Sequence, residues 1–325
     1  MKNRNRALDI ARAICALEII AFWHALNYID MNSEFLLKYG ANLTMFCLAV
    51  FTFLSGFFLS KYKIESPKDI CVFYSKRLLR FFPLFFVSCF SLYIGGEIVG
   101  HSWFSSIGQF VYTLIGLGVF YLPMAGTVWY ISMLMLFYII TPIILYYKFN
   151  KWIISILFLI LFIVVGTVIP VDNRLITYFP FYLLGLCVDK KYFAKLDLFF
   201  STSSIKKRIQ MLMLGIVILI LCIISTAFFD DILIMLLIFL GGVSIIVISY
   251  GISYIYRARF DIFSLIAYSS MAAYLFHRQI FECFRMISPN HIIPLWLMSL
   301  AIVCVFALSY YIQKLYDLIC AHYYK

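Results

Sequence analysis

The 325-residue sequence predicts an all-α integral membrane protein with about ten transmembrane helices, and three observations carry that expectation. Of its residues 65% are apolar and 13% charged, too few charges to clothe a water-soluble core of that size. Apolar runs of about 20 residues, each long enough to cross a hydrocarbon core as a helix, recur from end to end. The runs lack the two-residue alternation of barrel strands, so helices must satisfy the backbone in lipid.

The first run, 9–29, follows the basic residues Lys2, Arg4 and Arg6 and carries Asp9, Arg12, Glu18 and His24. It lacks the small-residue cleavage site of a signal peptide. The second run, 41–61, contains Ser55-Gly56, and the third, 80–99, is entered through Arg77 and Arg80. The stretch 102–124 is apolar but interrupted by Gly108, Gln109, Gly116, Gly118 and Pro123, and is taken as a re-entrant or surface segment. Runs at 127–147, 152–170 and 174–189 come next. The longest polar stretch, around 189–209, is expected to be a basic loop. Runs at 210–228, 232–254, 263–285 and 292–316 complete the set, so a single membrane domain over 1–325 with no separate soluble domain is expected.

The net charge of +11 sits in short clusters between runs, which favours membrane topology over nucleic-acid binding. With the N-terminus in the cytoplasm, the inner side receives Lys2, Arg4, Arg6, Lys61, Lys63, Lys68, Lys76, Arg77, Arg80, Lys148 and Lys151. It also receives Lys190, Lys191, Lys195, Lys206, Lys207, Arg208, Arg257, Arg259, Lys314 and Lys325, which makes 21 of the 26 Lys and Arg. Only Lys38, Arg174 and Arg285 fall outside, among Asp30, Glu34, Asp172, Asp230 and Asp231. An eleventh span at 102–124 would break this alternation. The nine cysteines include no CxxC pair and are taken as small membrane hydrophobes. The five histidines have no metal-ligand spacing, so no metal is expected. Phosphate-loop, zinc-protease and nucleophile-elbow motifs are absent, and no internal repeat supports an inverted-repeat transporter.

Ionisable groups inside a bilayer are costly, so each is a functional candidate. Asp9 and Arg12, three apart, share a helix face and can pair. Arg278 and Glu282, four apart in the ninth run beside His277, can pair as well. In this topology His24, Glu97, His277, Arg278 and Glu282 fall in the outer half. They make either a polar chamber open to the outside or a set of pairs that hold helices together. Arg77 and Arg80 form a basic face for donor phosphates or for anionic lipid headgroups. Ser55-Gly56 permits close approach of a ligand or of another helix.

Six pieces in chain order resemble acyltransferase family 3, the polytopic membrane O-acyltransferases of the sugar and polysaccharide type. Ala7-Leu8-Asp9-Ile10-Ala11-Arg12 through Phe22-Trp23-His24 resembles the opening helix, and Phe53-Leu54-Ser55-Gly56-Phe57 the second. Lys76-Arg77-Leu78-Leu79-Arg80-Phe81-Phe82-Pro83 is similar to the basic third-helix start. Trp129-Tyr130 with Tyr138 and Pro142, Phe181-Tyr182-Leu183-Leu184-Gly185, and Tyr268-Ser269-Ser270 to Tyr274-Leu275-Phe276-His277 complete the series. The resemblance implies a bacterial inner-membrane enzyme with about ten helices, and the Lys and Arg asymmetry puts both termini in the cytoplasm. Its donor would be cytoplasmic acetyl-CoA or another acyl-CoA, and its acceptor a hydroxyl of a carbohydrate or glycolipid. His24 would act as base, or alternatively as the nucleophile that accepts the acyl group, and His277 would orient the base or the acceptor. Arg77 and Arg80 would meet the CoA phosphates, with Arg12 along the donor path. Asp9, Glu18, Ser55, Trp129, Tyr138, Arg278 and Glu282 would complete the substrate-binding set. The alternative is a glycolipid or organic-anion transporter, which moves its substrate without consuming acyl-CoA.

The family pattern places ten residues between Arg and His, and this chain has eleven. Twelve steps of a regular helix leave Arg12 and His24 about 120° apart, whereas eleven would leave about 20°. A π-bulge or kink between Ala13 and Trp23, beside Glu18, is therefore expected. The rival is a straight helix in which Arg12 pairs with Asp9.

Overall fold

The computed structural model describes residues 5–31, 33–100, 102–122, 124–146, 151–169, 171–226, 228, 231–256 and 261–323. Lys2, Arg4, Pro123, Lys148, Asp230, Arg257, Arg259 and Lys325, used in the span and charge reading, lie outside them. Among the described residues the chain forms twelve α-helices and no strand. They are α1 (Arg6–Ala16), α2 (Glu34–Leu59), α3 (Pro67–Val99), α4 (Ile107–Leu114), α5 (Trp129–Tyr146) and α6 (Lys151–Val168). The rest are α7 (Asn173–Cys187), α8 (Lys190–Thr202), α9 (Ile205–Ser225), α10 (Asp231–Ile255), α11 (Ile262–Met286) and α12 (Leu295–Tyr323).

Among the described residues six helices are long and apolar enough to cross a membrane: Glu34–Leu59, Pro67–Val99, Trp129–Tyr146, Ile205–Ser225, Leu233–Ile255 and Leu295–Ala321. The other four expected spans coincide with helices that are shorter (α1, α6 and α7) or carry several ionisable groups (α1 and α11). Large apolar side chains such as Ile156, Leu221 and Leu318 stand more than half exposed, as a hydrocarbon-facing surface requires. This is an all-α membrane protein. Among the described residues the 102–124 stretch holds only the eight-residue α4 and one 3-10 turn, Gly118–Phe120, neither long enough to span.

The chain divides into two compact units, Met1–Leu54 with Val188–Gln313 and Ser55–Cys187 with Lys314–Lys325. In the first, α1 starts at Asn5, whose Oδ1 accepts from the Ala7 and Leu8 amides at 3.0 and 3.3 Å. The Nδ2 of Asn5 donates to Asp197 Oδ2 and to the Tyr250 hydroxyl, both at 2.9 Å, so the cap also ties α1 to α8 and α10. Arg6 Nε pairs with Asp261 at 2.9 Å, at the start of α11. The α9–α10 contact runs through small residues: a Cβ on Gly215 would lie 3.0 Å from Ile248, and one on Gly251 2.9 Å from Leu212.

Two expectations are corrected here. The 189–209 stretch is not a loop throughout, because α8 occupies most of it. Asp189 Oδ1 accepts from the Lys191 amide at 2.9 Å, and Phe193 and Phe200, seven apart on one face, are buried. Arg208 donates to the Phe200 and Ser201 carbonyls at the far end of α8, at 2.7 and 2.9 Å. The second correction concerns Arg77 and Arg80, which do not open a helix. α3 starts at Pro67, where Ser66 and Asp69 cap each other's backbone amides, and runs 33 residues to a left-handed Gly100.

Pro83 inside α3 withholds the amide that would bond the Leu79 carbonyl. In the second unit the Tyr316 hydroxyl donates to that carbonyl instead.

Candidate functional site

The first helix does not remain α-helical to its end. From Leu17 to His24 it is a π-helix, begun beside Glu18 and followed by a 3-10 turn, Ala25–Asn27. A residue absorbed in a π turn removes about 100° of winding, so Arg12 and His24 return to within about 20° of one face. Both meet α11. Arg12 Nη2 donates to Ser270 Oγ at 3.1 Å, and the His24 ring stacks on His277, centroids 4.7 Å apart and planes 1° from parallel. Ser270 and His277 are seven apart, which places them on one face of α11 about 10 Å apart along its axis. The first helix is therefore not a straight α-helix from Arg12 to His24.

His277 is fully buried, and its Nδ1 lies 2.9 Å from the Tyr274 carbonyl and 3.2 Å from that of Ala273. A carbonyl oxygen only accepts, so Nδ1 carries the proton and Nε2 the lone pair. That Nε2 is buried without a hydrogen-bond partner among the described residues, and so is Nδ1 of His24. Buried polar atoms normally find partners, so two such nitrogens on stacked rings point to a reactant or water as the missing partner.

Tyr28 closes the next turn. Its hydroxyl donates to Glu282 Oε1 at 3.1 Å, its ring meets Phe281 edge-on at 5.3 Å, and the Arg278 guanidinium lies over it at 5.6 Å. Phe281 in turn packs edge-on against His277 at 5.7 Å. Glu282 Oε2 pairs with Arg285 Nη2 at 2.8 Å. The Tyr28 carbonyl accepts from the Ile293 amide at 2.8 Å, which pins the chain beyond the π segment. Glu18, at the other end of that segment, accepts from Thr44 Oγ1 of α2 at 2.8 Å. Asp9 is buried in the same helix.

Ser55, Arg77, Arg80, Trp129 and Tyr138 belong to the second unit. Arg77 donates to the Tyr62 hydroxyl at 2.6 Å, with its guanidinium 5.0 Å from the ring centroid, and its Nε is buried without a partner among the described residues. Arg80, three residues on, is exposed. The two arginines are therefore not an equivalent pair. Tyr138 lies between Phe81 and Tyr182, at 6.2 and 6.4 Å. Tyr182 shares a hydrogen bond with Thr141.

Trp129 carries the Arg174 guanidinium 4.2 Å over its ring, and Arg174 is held by two bonds to Asp172, at 2.8 and 2.7 Å. Burial alone would raise the Asp172 carboxyl, but the bonds from Arg174 outweigh it and hold the group below the usual range. Thr127, just before α5, has φ +63°, and the Val128 amide bonds back to the Gly126 carbonyl at 2.7 Å. A β-branched residue at positive φ is a strained position, and it aims the start of α5. Gly56, next to Ser55, is a packing position: a Cβ there would lie 2.2 Å from the Tyr182 carbonyl oxygen. Glu97, placed by sequence in an outer chamber, is exposed on α3.

Sequence reasoning missed Tyr28 and Thr44, which carry no charge to betray them, and quoted Ser270 in a family-like piece without giving it a role at the site. It counted Arg285 on the outer side, at the end of the run 263–285, without pairing it with Glu282, three residues away in the last turn of α11. That spacing was a usable signal. A family model described as an acyltransferase domain matches residues 5–314. A search of curated proteins and one of solved structures gave no match.

Proposed function

The chain belongs to acyltransferase family 3, and from that premise we propose that this membrane acyltransferase moves an acetyl group from cytoplasmic acetyl-CoA to a hydroxyl of a carbohydrate or glycolipid. The observation that carries the proposal is the stacked His24–His277 pair with two buried, unpartnered nitrogens. His24 takes the proton of the acceptor hydroxyl. The hydroxyl oxygen attacks the thioester carbonyl carbon, the carbon–sulfur bond breaks, and the proton passes to the leaving CoA thiolate. General-base assistance of this kind contributes about 10²–10⁴-fold. His277, its tautomer set by two backbone carbonyls, braces the His24 ring in position.

Arg12, on the same α11 face through Ser270, lines the donor path. Charge favours the Arg77 and Arg80 region for the CoA phosphates. Arg80 is exposed and available, while Arg77 keeps Tyr62 as partner. Arg278 and Glu282 bind on the acceptor side, and Asp9, Glu18, Ser55, Trp129 and Tyr138 complete the substrate-binding set. The proposed topology has ten spans in the inner membrane of a bacterium with both termini cytoplasmic, supported by the asymmetry of Lys and Arg between loops.

The test uses purified protein in proteoliposomes with labelled acetyl-CoA. Acceptor-dependent release of CoA thiol together with ester-bound label supports the proposal. Movement of a glycolipid across the bilayer without thiol release would establish the transporter instead.

A further inference from the structure

Helix α8 presents two contrasting faces. Phe193 and Phe200 are buried on its inner face, and the Phe200 ring lies 5.5 Å from that of Tyr250 and 6.1 Å from that of Tyr254, both of α10. On the opposite face, at i, i+4, i+7 and i+11, stand Lys191, Lys195, Leu198 and Thr202, all exposed. Tyr192 and Leu198 are 55% and 64% exposed, and so is Ile205, at 55%, where α9 opens. Lys190 precedes this face, Lys206 and Lys207 follow it, and the first turns of α8 and α9 contain no acid.

This face lies at the end of two helices long and apolar enough to span. Tyr250 and Tyr254 are in the last two turns of α10, and α9 begins three residues after α8 ends. The acids gathered here are already engaged. Asp189 pairs with Lys191 at 3.2 Å, Asp197 accepts from Asn5 Nδ2 and the Tyr254 hydroxyl at 2.9 and 3.2 Å, and Asp261 holds Arg6 at 2.9 Å. Arg208 is turned back onto the α8 carbonyls, and Lys207 rests 4.8 Å over the Phe199 ring. Lys190, Lys195 and Lys206 are exposed and have no acidic partner among the described residues. Exposed lysines interleaved with exposed tyrosine, leucine and isoleucine are the composition of a helix lying in a membrane–water boundary.

We infer that the outer face of α8, with the first turn of α9, is a docking surface for the anionic phospholipid headgroups of the leaflet at this end of the protein. Lys190, Lys195 and Lys206 meet the headgroups, while Tyr192, Leu198 and Ile205 sit at the acyl boundary beside them. The inference does not rest on acyl transfer. Through Asp197 and Asn5 the same helix is tied to the start of α1, and through Phe200 to α10. Headgroups that hold α8 in place therefore stabilise the packing of α1 and α10 as well, which makes thermal unfolding a suitable readout.

The experiment titrates purified full-length protein in dodecyl maltoside with phosphatidylglycerol or with phosphatidylcholine of the same acyl chains and follows thermal unfolding. Phosphatidylglycerol should raise Tm saturably and at lower concentration than phosphatidylcholine. Replacing the three lysines together, by Lys190→Gln, Lys195→Gln and Lys206→Gln, should weaken phosphatidylglycerol by about tenfold or more. The same three positions changed to Arg should bind within about twofold of wild type, which separates lost charge from misfolding. Removing equal charge elsewhere, by Lys61→Gln, Lys63→Gln and Lys68→Gln, where Glu65 and Asp69 interleave, should change binding less than about threefold. Salt at about 1 M, where the Debye length is about 3 Å, should remove most of the preference for the anionic lipid. Equal action of the two lipids, a Gln variant at 190, 195 and 206 that binds like wild type, or an equal loss in the 61, 63 and 68 control would each overturn the surface. A preference that survives high salt unchanged would overturn its electrostatic basis.

Discussion

Deleting Ala21 tests whether the π segment serves to bring Arg12 and His24 onto one face of the first helix. The segment runs Leu17–His24, anchored before by the Glu18–Thr44 bond and after by Tyr28 on Glu282. With Ala21 removed, eleven residue steps separate Arg12 from His24, and a regular α-helix places them about 20° apart. The π distortion is then unnecessary, and the His24–His277 stack and the Arg12–Ser270 bond can both persist. Deleting Ile20 together with Ala21 leaves ten steps and swings His24 about 80° to the other side. That variant should lose the general-base contribution, about 10²–10⁴-fold. The assay is the ester-bound acetyl content of surface glycans, normalised to protein in the membrane. Retained transfer in the single deletion and loss in the double deletion are expected. If both are equally inactive at wild-type membrane levels, the angular reasoning is refuted.

Arg80→Ala should raise the KM for acetyl-CoA with little change in the acceptor KM, because Arg80 is exposed and supplies charge rather than packing; equal changes in both KM values would contradict the donor role. Gly56→Ala would put a methyl group 2.2 Å from the Tyr182 carbonyl oxygen and should destabilise by about 1–3 kcal/mol in SDS unfolding. Gly95→Ala, with nothing within 4 Å, should leave stability unchanged or raise it by about 0.4–1 kcal/mol; similar losses at both positions would count against close helix packing at Gly56. Burial alone would raise the Asp261 carboxyl, but hydrogen bonds from Arg6 and Ser264 outweigh it and hold the group below the usual range. A depressed pKa means that this stability is present above the unfolded value, about 3.9, and is lost as pH falls through the folded value. Asp261→Asn should therefore cost stability at pH 7, at most about 1 kcal/mol for a pair this exposed, and should flatten the decline below about pH 4. An unchanged acid limb in unfolding scans would remove the pair from the stability of α1.

The eleven-residue spacing between Arg12 and His24 made the π distortion legible in the sequence, because helical winding converts a count of residues into an angle. The stacking of His24 on His277 was not legible. The two are joined by tertiary packing across the chain, and neither ring has a neighbour in sequence that reports the other. Helix starts were hidden where a capping group stood outside the apolar run. Ser66-Pro67 with Asp69 opens α3 well before the hydrophobicity rises, so Arg77 and Arg80 looked like loop residues. In α8 the lysines dominated the composition, and the seven-residue spacing of Phe193 and Phe200 was the signal of a helix lying on an apolar surface. Asn5 shows the same limit: as a residue type it marks a helix cap, but its bonds to Asp197 and Tyr250 depend on where α8 and α10 come to rest. Tyr28 is neutral, and nothing in its local sequence separates it from the other hydroxyl residues; Ser270 stood in a family-like piece, but its bond to Arg12 depends on how α1 and α11 pack.

The most direct measurement compares cells that carry the wild-type chain, the His24→Ala variant or neither, at matched membrane levels, by mass spectrometry of their surface glycans and glycolipids. The wild-type chain should add one acetyl group per modified unit, and the His24→Ala cells should match those that lack the protein. Identical glycan masses in all three, or an acetyl increment that survives His24→Ala in full, would contradict acyl transfer at the histidine pair.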